Sequence, residues 1–169
     1  LYLTKIRGYS PTTMSTIMAV LGFTPAVGGV LVTWISDRIG RRLPMILFAF
    51  LTALCPLACL YFPGPIPALT ALMFIGWVGI GMYPLFMGVV PAETLNFRNV
   101  AAAMGLVVAI GELAGGVCGP ILAGWLADMT SLRTPLLISA GMSICGGLVS
   151  LFIIETNPAV LAKRQPVTV

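Results

Sequence analysis

The sequence predicts an all-α integral membrane protein with five transmembrane helices. Its 169 residues are 59% hydrophobic and only 8% charged, and the mean hydropathy is +1.05. Soluble domains carry about 25% charged residues, so this composition does not suit a core surrounded by water. Two long stretches, residues 8–36 and 43–92, contain no charged residue. Uncharged apolar stretches of this kind are typical of transmembrane helices.

A short basic turn, residues 36–42, joins the two uncharged stretches. Lys and Arg are concentrated in short cytoplasmic loops of membrane proteins, so the turn predicts the orientation of the chain. With the turn in the cytoplasm, the C-terminus is cytoplasmic as well. The inner loops then hold Arg38, Arg41, Arg42, Arg98, Lys163 and Arg164, against Lys5, Arg7 and Arg133 outside.

The first two predicted spans cover residues 11–35 and 44–62. Ser10 can cap the first helix, and Pro11 suits its first position, where the missing N–H costs no hydrogen bond. The second span ends at the proline-rich segment 63–67, which a helix cannot traverse.

Three further spans are predicted at residues 67–90, 99–127 and 134–154. The third ends at Pro91, and a second cytoplasmic turn follows it. Asn99 can cap the fourth span, and Thr134 followed by Pro135 suits the start of the fifth. Residues 155–169 are expected to form a polar tail. We therefore expect residues 1–169 to form a single membrane domain.

The basic turn resembles a loop signature of the major facilitator superfamily of transporters. Residues 37–42, Asp-Arg-Ile-Gly-Arg-Arg, match the D-R-x-G-R-R part of that signature, although Thr33 stands where the signature has glycine. Tyr9-Ser10-Pro11, Pro91-Ala92-Glu93-Thr94 followed by Arg98 and Ala103-Met104-Gly105, and Glu155-Thr156 also resemble the family in order and spacing. The resemblance covers nearly the whole chain. It implies helices eight to twelve of a metabolite transporter, which are most of its C-terminal six-helix half.

The resemblance implies a secondary active transporter in the plasma (inner) membrane, with two six-helix halves that alternate access to a central site. The implied partners are a small-molecule substrate, the lipid bilayer, the N-terminal half that is missing from this chain and, in a coupled transporter, protons. Similarity of residues 93–124 to metabolite-uptake members favours a small organic anion or sugar acid, carried by a symporter. A drug or metabolite efflux transporter, and a non-transporting scaffold derived from a truncated transporter, remain alternatives.

No catalytic, cofactor or metal site is predicted. The chain has no histidine, and neither the G-x-S-x-G nor the H-E-x-x-H pattern occurs in it. Its four cysteines, Cys55, Cys59, Cys118 and Cys145, lie in apolar runs and are expected to pack there. The basic residues form no continuous face of the kind that binds nucleic acid.

The two cytoplasmic turns are expected to form one charge network that holds the cytoplasmic side closed. Its candidate members are Asp37, Arg38, Gly40, Arg41, Arg42, Glu93 and Arg98. The alternative is that these residues are solvated and only determine topology.

Six residues within the spans are candidates for substrate contact or helix packing. The resemblance places Thr24, Trp77 and Tyr83 near the substrate path, with ordinary packing as the alternative. The spacing of Gly111, Gly115 and Gly119 suits close approach of a neighbouring helix, for packing alone or for sliding during transport.

Glu112 is the only ionisable residue deep within a span. A charged side chain at that depth costs about 2.5–3.5 kcal/mol on insertion scales, so it should face protein or water. We expect it to lie on a face of small residues, opposite an apolar face. Burial disfavours the ionised form of a carboxyl group, which would allow proton uptake and release. Glu112 is therefore a candidate for proton coupling or substrate contact, with a paired structural carboxyl as the alternative.

Overall fold

The computed structural model describes residues 1–164, and it leaves out the side chains of Phe97, Lys163 and Arg164. Every regular element within residues 1–164 is helical, which confirms the all-α class. Four helices are long and apolar enough to cross a membrane, and a fifth apolar helix is shorter. The helices are α1 (Tyr2–Lys5), α2 (Pro11–Ile39), α3 (Arg42–Tyr61), α4 (Ile66–Thr94), α5 (Arg98–Met129), α6 (Thr134–Ser150) and α7 (Pro158–Arg164).

The three predicted helix caps have different outcomes. The cap at Ser10 is confirmed, because the backbone N–H of Thr13 donates to its hydroxyl over 3.1 Å. At α5 the cap position is Asn96 instead of Asn99, since α4 continues through Pro91 to Thr94 and leaves a shorter turn. At α6 the cap position is Arg133, and the Thr134 hydroxyl bonds to that of Thr130.

Each interruption of a long helix precedes a proline. Proline lacks an N–H, and its ring clashes with the carbonyl one turn earlier. The helical hydrogen bonds are therefore interrupted before the proline, or they shift from the α-helical to a 3-10 or π-helical pattern. The interruptions are Phe23 before Pro25, Ala53 before Pro56, a 3-10 turn at Gly79–Met82 before Pro84, and π-helical turns at Leu85–Val89 before Pro91 and Glu112–Cys118 before Pro120.

Glycines in the middle of α4 allow α2 and α3 to approach its backbone. A Cβ on Gly28 of α2 would meet the carbonyl of Val78, and would lie 3.2 Å from the nitrogen of Gly81. On the other side of α4, a Cβ on Gly76 would lie 2.5 Å from the nitrogen of Cys55 in α3. No side chain fits at these positions, so α4 is held between α2 and α3 by backbone contact.

Two hydrophobic clusters lie on either side of this glycine region. One cluster buries Val32, Met45 and Leu85 toward the end of the bundle that holds residues 36–42, here called the basic end. The other cluster lies toward the opposite end and buries side chains of α1 to α4, namely Tyr2, Leu3, Ile17, Leu21, Cys55, Ala58, Cys59, Leu69 and Met73. Cys55 and Cys59 are buried and pack as expected, whereas Cys118 and Cys145 are exposed and do not pack in the interior.

α5 lies at the edge of the bundle. It contacts the last part of α4 and also α6, but none of its residues 98–129 is buried. α6 is held more firmly, because Gly147 lies against the ring of Phe50 in α3. Residues 158–164, expected to be part of a polar tail, form the helix α7.

We predict that Gly28→Ala destabilises the fold, whereas Gly29→Ala does not. The added methyl group at position 28 collides with the backbone of α4, and overpacking of this kind costs about 1–3 kcal/mol. Gly29 is its matched control, since nothing lies within 4 Å of its Cβ position. The measurement is the melting temperature in detergent, together with the amount of protein in the membrane. Equal melting temperatures for the two variants would show that the α2–α4 contact is not tight.

Candidate functional site

Arg41 is the centre of a polar cluster at the basic end, and it is only 8% exposed. Its guanidinium donates to Asp37 at 2.5 Å, one helical turn earlier, and to the hydroxyl of Ser36 at 3.1 Å. It also donates from Nη2 to Glu93, at the end of α4, at 2.8 Å and from Nε at 3.1 Å. Arg41 therefore joins the end of α2 to the end of α4.

Glu155 fits against the turn between α2 and α3. Its carboxylate accepts hydrogen bonds from the backbone N–H groups of Arg41 at 2.7 Å and Arg42 at 3.2 Å. These groups begin α3, where a negative charge is favoured by the helix dipole. Gly40 adopts a φ of +106°, and a Cβ at this position would collide with the Glu155 carboxylate. Glycine is needed here for both reasons.

The two residues after Glu155 complete the cluster. The hydroxyl of Thr156 donates to Glu93 at 2.6 Å. Asn157 is buried, and its amide donates to the carbonyls of Ser36 and Asp37, both at 3.3 Å. We call the set Ser36, Asp37, Gly40, Arg41, Glu93, Glu155, Thr156 and Asn157 the basic-end clasp. It ties the segment after α6 to α2 and α4.

The predicted network is thus only partly assembled. Asp37, Arg41 and Glu93 meet directly, and Gly40 shapes the turn. Arg38 instead lies over the ring of Trp34, 3.9 Å from its centroid. The side chain of Arg42 donates to the carbonyl of Leu151 at 2.8 Å, and Arg98 is exposed.

Sequence reasoning missed Ser36, Glu155, Thr156 and Asn157 as members. A signal existed for Glu155 and Thr156, because their pair follows the last span and resembles the family's ending. Their contact with residues 36–42 could not be read from the chain, since they lie more than 110 residues apart in sequence.

Electrostatics hold both central charges ionised. Burial would lower the pKa of Arg41, but the hydrogen bonds and charges of Glu93 and Asp37 outweigh it and raise that pKa. Burial would raise the pKa of Glu155, but the backbone N–H groups of Arg41, Asn157, Arg42 and Thr156 lower it overall. Arg41 and Glu155 are therefore both charged near neutral pH.

The cavity-lining candidates differ in exposure. Thr24 is 0% exposed and its hydroxyl donates to the carbonyl of Leu21 at 2.6 Å, so it lines no open surface here. Trp77 is 39% exposed, and it lines a cavity of about 470 Å³ between α1, α2, α3, α4 and α6. Tyr83 is 43% exposed, and its ring meets that of Phe86 edge to face.

A second, larger groove of about 830 Å³ lies between α2 and α4 at the end opposite the clasp. It is mostly apolar, with three hydroxyl groups, and its lining includes Thr13, Thr16, Ile17, Thr70 and Phe74. Thr16 and Thr70 donate to carbonyls of their own helices. Among residues 1–164 no group of three Cys, Asp or Glu side chains could hold a metal ion.

The candidates on α5 lie on its exposed surface. Gly111 faces Met87 of α4, and Gly115 has nothing within 4 Å of its Cβ position. A Cβ on Gly119 would lie 3.9 Å from the carbonyl oxygen of Ala114, which belongs to the same helix. Glu112 begins the π-helical turn of α5 and is exposed, so this structure does not bury it among small residues. Close helix contact occurs instead at the glycines of α2 and α4.

Comparison with known proteins agrees with this architecture. The sequence profile of the Major Facilitator Superfamily matches residues 1–168. The chain belongs to the major facilitator superfamily. Monocarboxylate transporter 13 of Bos taurus is 27% identical over 144 residues, which are 83% of this chain and 33% of that protein. Putative transporter YdfJ of Escherichia coli (strain K12) is 32% identical over 150 residues, which are 83% of this chain and 33% of that protein. No solved structure matches the chain.

Both relatives are named as transporters, and the chain shares their family. It spans about a third of the length of the curated relatives that it matches.

We predict that Glu155→Gln weakens the clasp in a pH-dependent manner. The folded protein holds the pKa of Glu155 below that of the unfolded chain. Its contribution to stability is therefore present above about pH 4.3 and is lost as the pH falls through the lower, folded pKa. The melting temperature of the unmodified protein should exceed that of Glu155→Gln at pH 7, and the difference should shrink below about pH 4.3.

The matched control is Asp128→Asn, an exposed acid at the opposite end of the bundle. It should change the melting temperature little at any pH. If the difference in melting temperature between the unmodified protein and Glu155→Gln stays constant from pH 7 to pH 3, an ionic role for Glu155 is contradicted.

Proposed function

We propose that this chain is part of a secondary active transporter that moves a small organic solute by alternating access. The basic-end clasp is the observation that carries the proposal. It joins α2, α4 and the segment after α6 through polar contacts, while the groove between α2 and α4 is open at the other end. The clasp lies at one end of the bundle, so water can replace its hydrogen bonds and hydrate Arg41 once the helix ends separate. The clasp is thus suited to open and close during each cycle.

We further propose that the five helices α2 to α6 belong to the C-terminal half of the transporter, with the clasp and the C-terminus in the cytoplasm of a plasma (inner) membrane. The remaining half would complete the central site. The resemblance of the basic turn, and the excess of basic residues on its side of the chain, support this arrangement.

The cargo that we propose is a small organic anion or sugar acid, taken up with protons. One relative is named as a monocarboxylate transporter, which supports an acidic cargo. Glu112 is the proposed proton-coupling or substrate-contacting group, because it is the only acidic or basic side chain between residues 99 and 127. Trp77 and Tyr83 are proposed to line the path to the central site.

The experiment that tests the transport function uses the full-length transporter that contains this chain. Purified protein in vesicles is given a panel of labelled sugar acids, monocarboxylates and drugs, with and without a pH gradient. Accumulation of an acid that requires the gradient is the expected result. Export of a drug against its gradient would favour efflux, and transport of no panel member would favour a non-transporting scaffold.

We predict that Glu93→Gln lowers transport more than Asp37→Asn, with membrane levels near normal in both variants. Both acids pair with Arg41, but the side chain of Glu93 is 15% exposed and that of Asp37 is 66% exposed. An exposed ion pair contributes only about 0–1 kcal/mol to stability. The attraction within a less exposed ion pair is weakened less by the surrounding water and salt. Initial uptake rates and quantitative blots give the comparison. Unchanged rates in both variants would leave the clasp without a role in gating.

We predict that Glu112→Gln abolishes accumulation driven by a pH gradient but retains exchange of cargo across the membrane. The amide cannot take up or release a proton, but it keeps the size and hydrogen-bonding capacity of the side chain. Uptake and counterflow in the same vesicles separate the two processes. A variant that still accumulates cargo with an unchanged pH profile would make Glu112 structural.

A further inference from the structure

A cavity of about 470 Å³ lies toward the end of the bundle opposite the clasp, and α1 forms one of its walls. Leu1, Tyr2 and Leu3 of α1 line it, as do Cys55 and Cys59 of α3. α2, α4 and α6 supply the other walls. Its volume lies within the range of small-molecule binding sites in proteins, about 300–1,000 Å³.

The walls of the cavity are largely apolar. Among the described residues that line it, none has a charged side chain, and Ser139 of α6 supplies a hydroxyl group. Much of the remaining lining comes from Met14 and Met18 of α2 and from Met73 and Trp77 of α4. An empty space of this size is unusual in a well-packed protein, because its walls lack contact with partner atoms. Water is a poor occupant, since it needs about two to four polar partners, whereas apolar cavities do bind apolar molecules.

Arg7 ties the segment that contains α1 to the end of α3. Its guanidinium donates from Nη1 to the carbonyl of Phe62 at 2.5 Å and from Nη2 to that of Cys59 at 3.1 Å. In a continuing helix the Cys59 carbonyl would accept from residue 63, but that residue is proline and has no N–H. Arg7 therefore supplies donors that the end of α3 lacks, and its positive charge suits the negative end of the helix dipole.

The chain around Arg7 folds α1 back against the bundle. The backbone N–H of Tyr9 donates to the carbonyl of Leu3 at 3.0 Å. Gly8 adopts a φ of +71°, a conformation that favours glycine. Tyr2 and Leu3 are buried, and both line the cavity. α1 thus covers part of the cavity, and Arg7 is a polar contact that holds it there.

We propose that this cavity binds an uncharged, apolar small molecule, and that α1, held to α3 by Arg7, is the lid that closes over it. Such a molecule supplies the contacts that the walls lack. The flexible methionines adapt to its shape, and Trp77 offers it the face of an aromatic ring. A charged molecule is excluded, because the lining provides no partner for its charge. Binding here is separate from transport of the cargo, so it is measured without transport.

The test uses the purified full-length transporter, in a background where Cys55 and Cys145 are the only cysteines. Cys55 lines the cavity and is buried, whereas Cys145 on α6 is exposed and serves as the internal reference. Labelling of each thiol by N-ethylmaleimide is followed by mass spectrometry, with butylbenzene or 4-phenylbutyrate as the probe. Butylbenzene at about ten times its dissociation constant should slow labelling of Cys55 about tenfold and leave Cys145 unchanged. The charged 4-phenylbutyrate should protect neither thiol.

Arg7→Ala should accelerate labelling of Cys55, because the lid opens more often. The expected factor is about 10- to 100-fold, as the loss of hydrogen bonds from a charged donor allows. The matched control is Lys5→Ala, which removes an exposed charge from α1 and should leave the rate unchanged. Arg7→Lys keeps the charge but not the planar fork that reaches two carbonyls, so it should give an intermediate rate. It replaces Arg7→Ala if that variant does not fold.

Ser139→Leu should abolish protection by butylbenzene, since it puts an apolar side chain into the cavity while Arg7 stays in place. Equal protection of Cys55 by 4-phenylbutyrate, or equal slowing of Cys145 by butylbenzene, would overturn the apolar site. Unchanged labelling rates in the Arg7 variants would rule out the lid. If butylbenzene does not protect Cys55 in the full-length protein, the proposal fails in favour of a cavity that other parts of the transporter fill.

Discussion

The buried guanidinium of Arg41 is the interaction on which the basic end of the molecule depends. A charge with so little exposure must be paired, because an unpaired buried charge costs several kcal/mol. Asp37 and Glu93 supply that pairing from two different helices, so neither helix end can move without breaking a bond to Arg41. Glu155 then binds the backbone of the same turn, in a space that exists because residue 40 is glycine. The segment after α6 is held in place as a consequence.

The interior of the bundle is built differently from the clasp. Between the two hydrophobic clusters, Gly28, Gly76 and Gly81 bring backbones into direct contact, so a change of side-chain rotamer cannot relieve these contacts. Close-packed contact of this kind resists deformation, whereas hydrogen bonds at the clasp can be exchanged with water. This contrast suits a bundle that moves as one body while its polar contacts at one end form and break.

α5 is the loosely packed helix at the edge of the bundle. It is the least buried of the long helices, it carries the only carboxylate at its depth, and its hydrogen-bond ladder is interrupted before Pro120. Its contact with α4 is made through methionine side chains that reach toward glycines. Methionine is flexible and polarisable, so this contact can adjust more readily than the glycine contacts of α2 and α4.

The sequence by itself determined the helical class, the division into apolar segments and the turns between them, because composition, charge spacing and proline position act locally along the chain. It also indicated Asp37, Arg41 and Glu93 as one network. Only the tertiary structure decided that Glu155, Thr156 and Asn157 close that network, that Arg38 lies over Trp34 instead, and that Thr24 is buried. It also placed the tight glycine contacts on α2 and α4 and not on α5. The physical reason is that a pattern along one helix shows which residues share a face, but the neighbour that meets that face comes from distant parts of the chain.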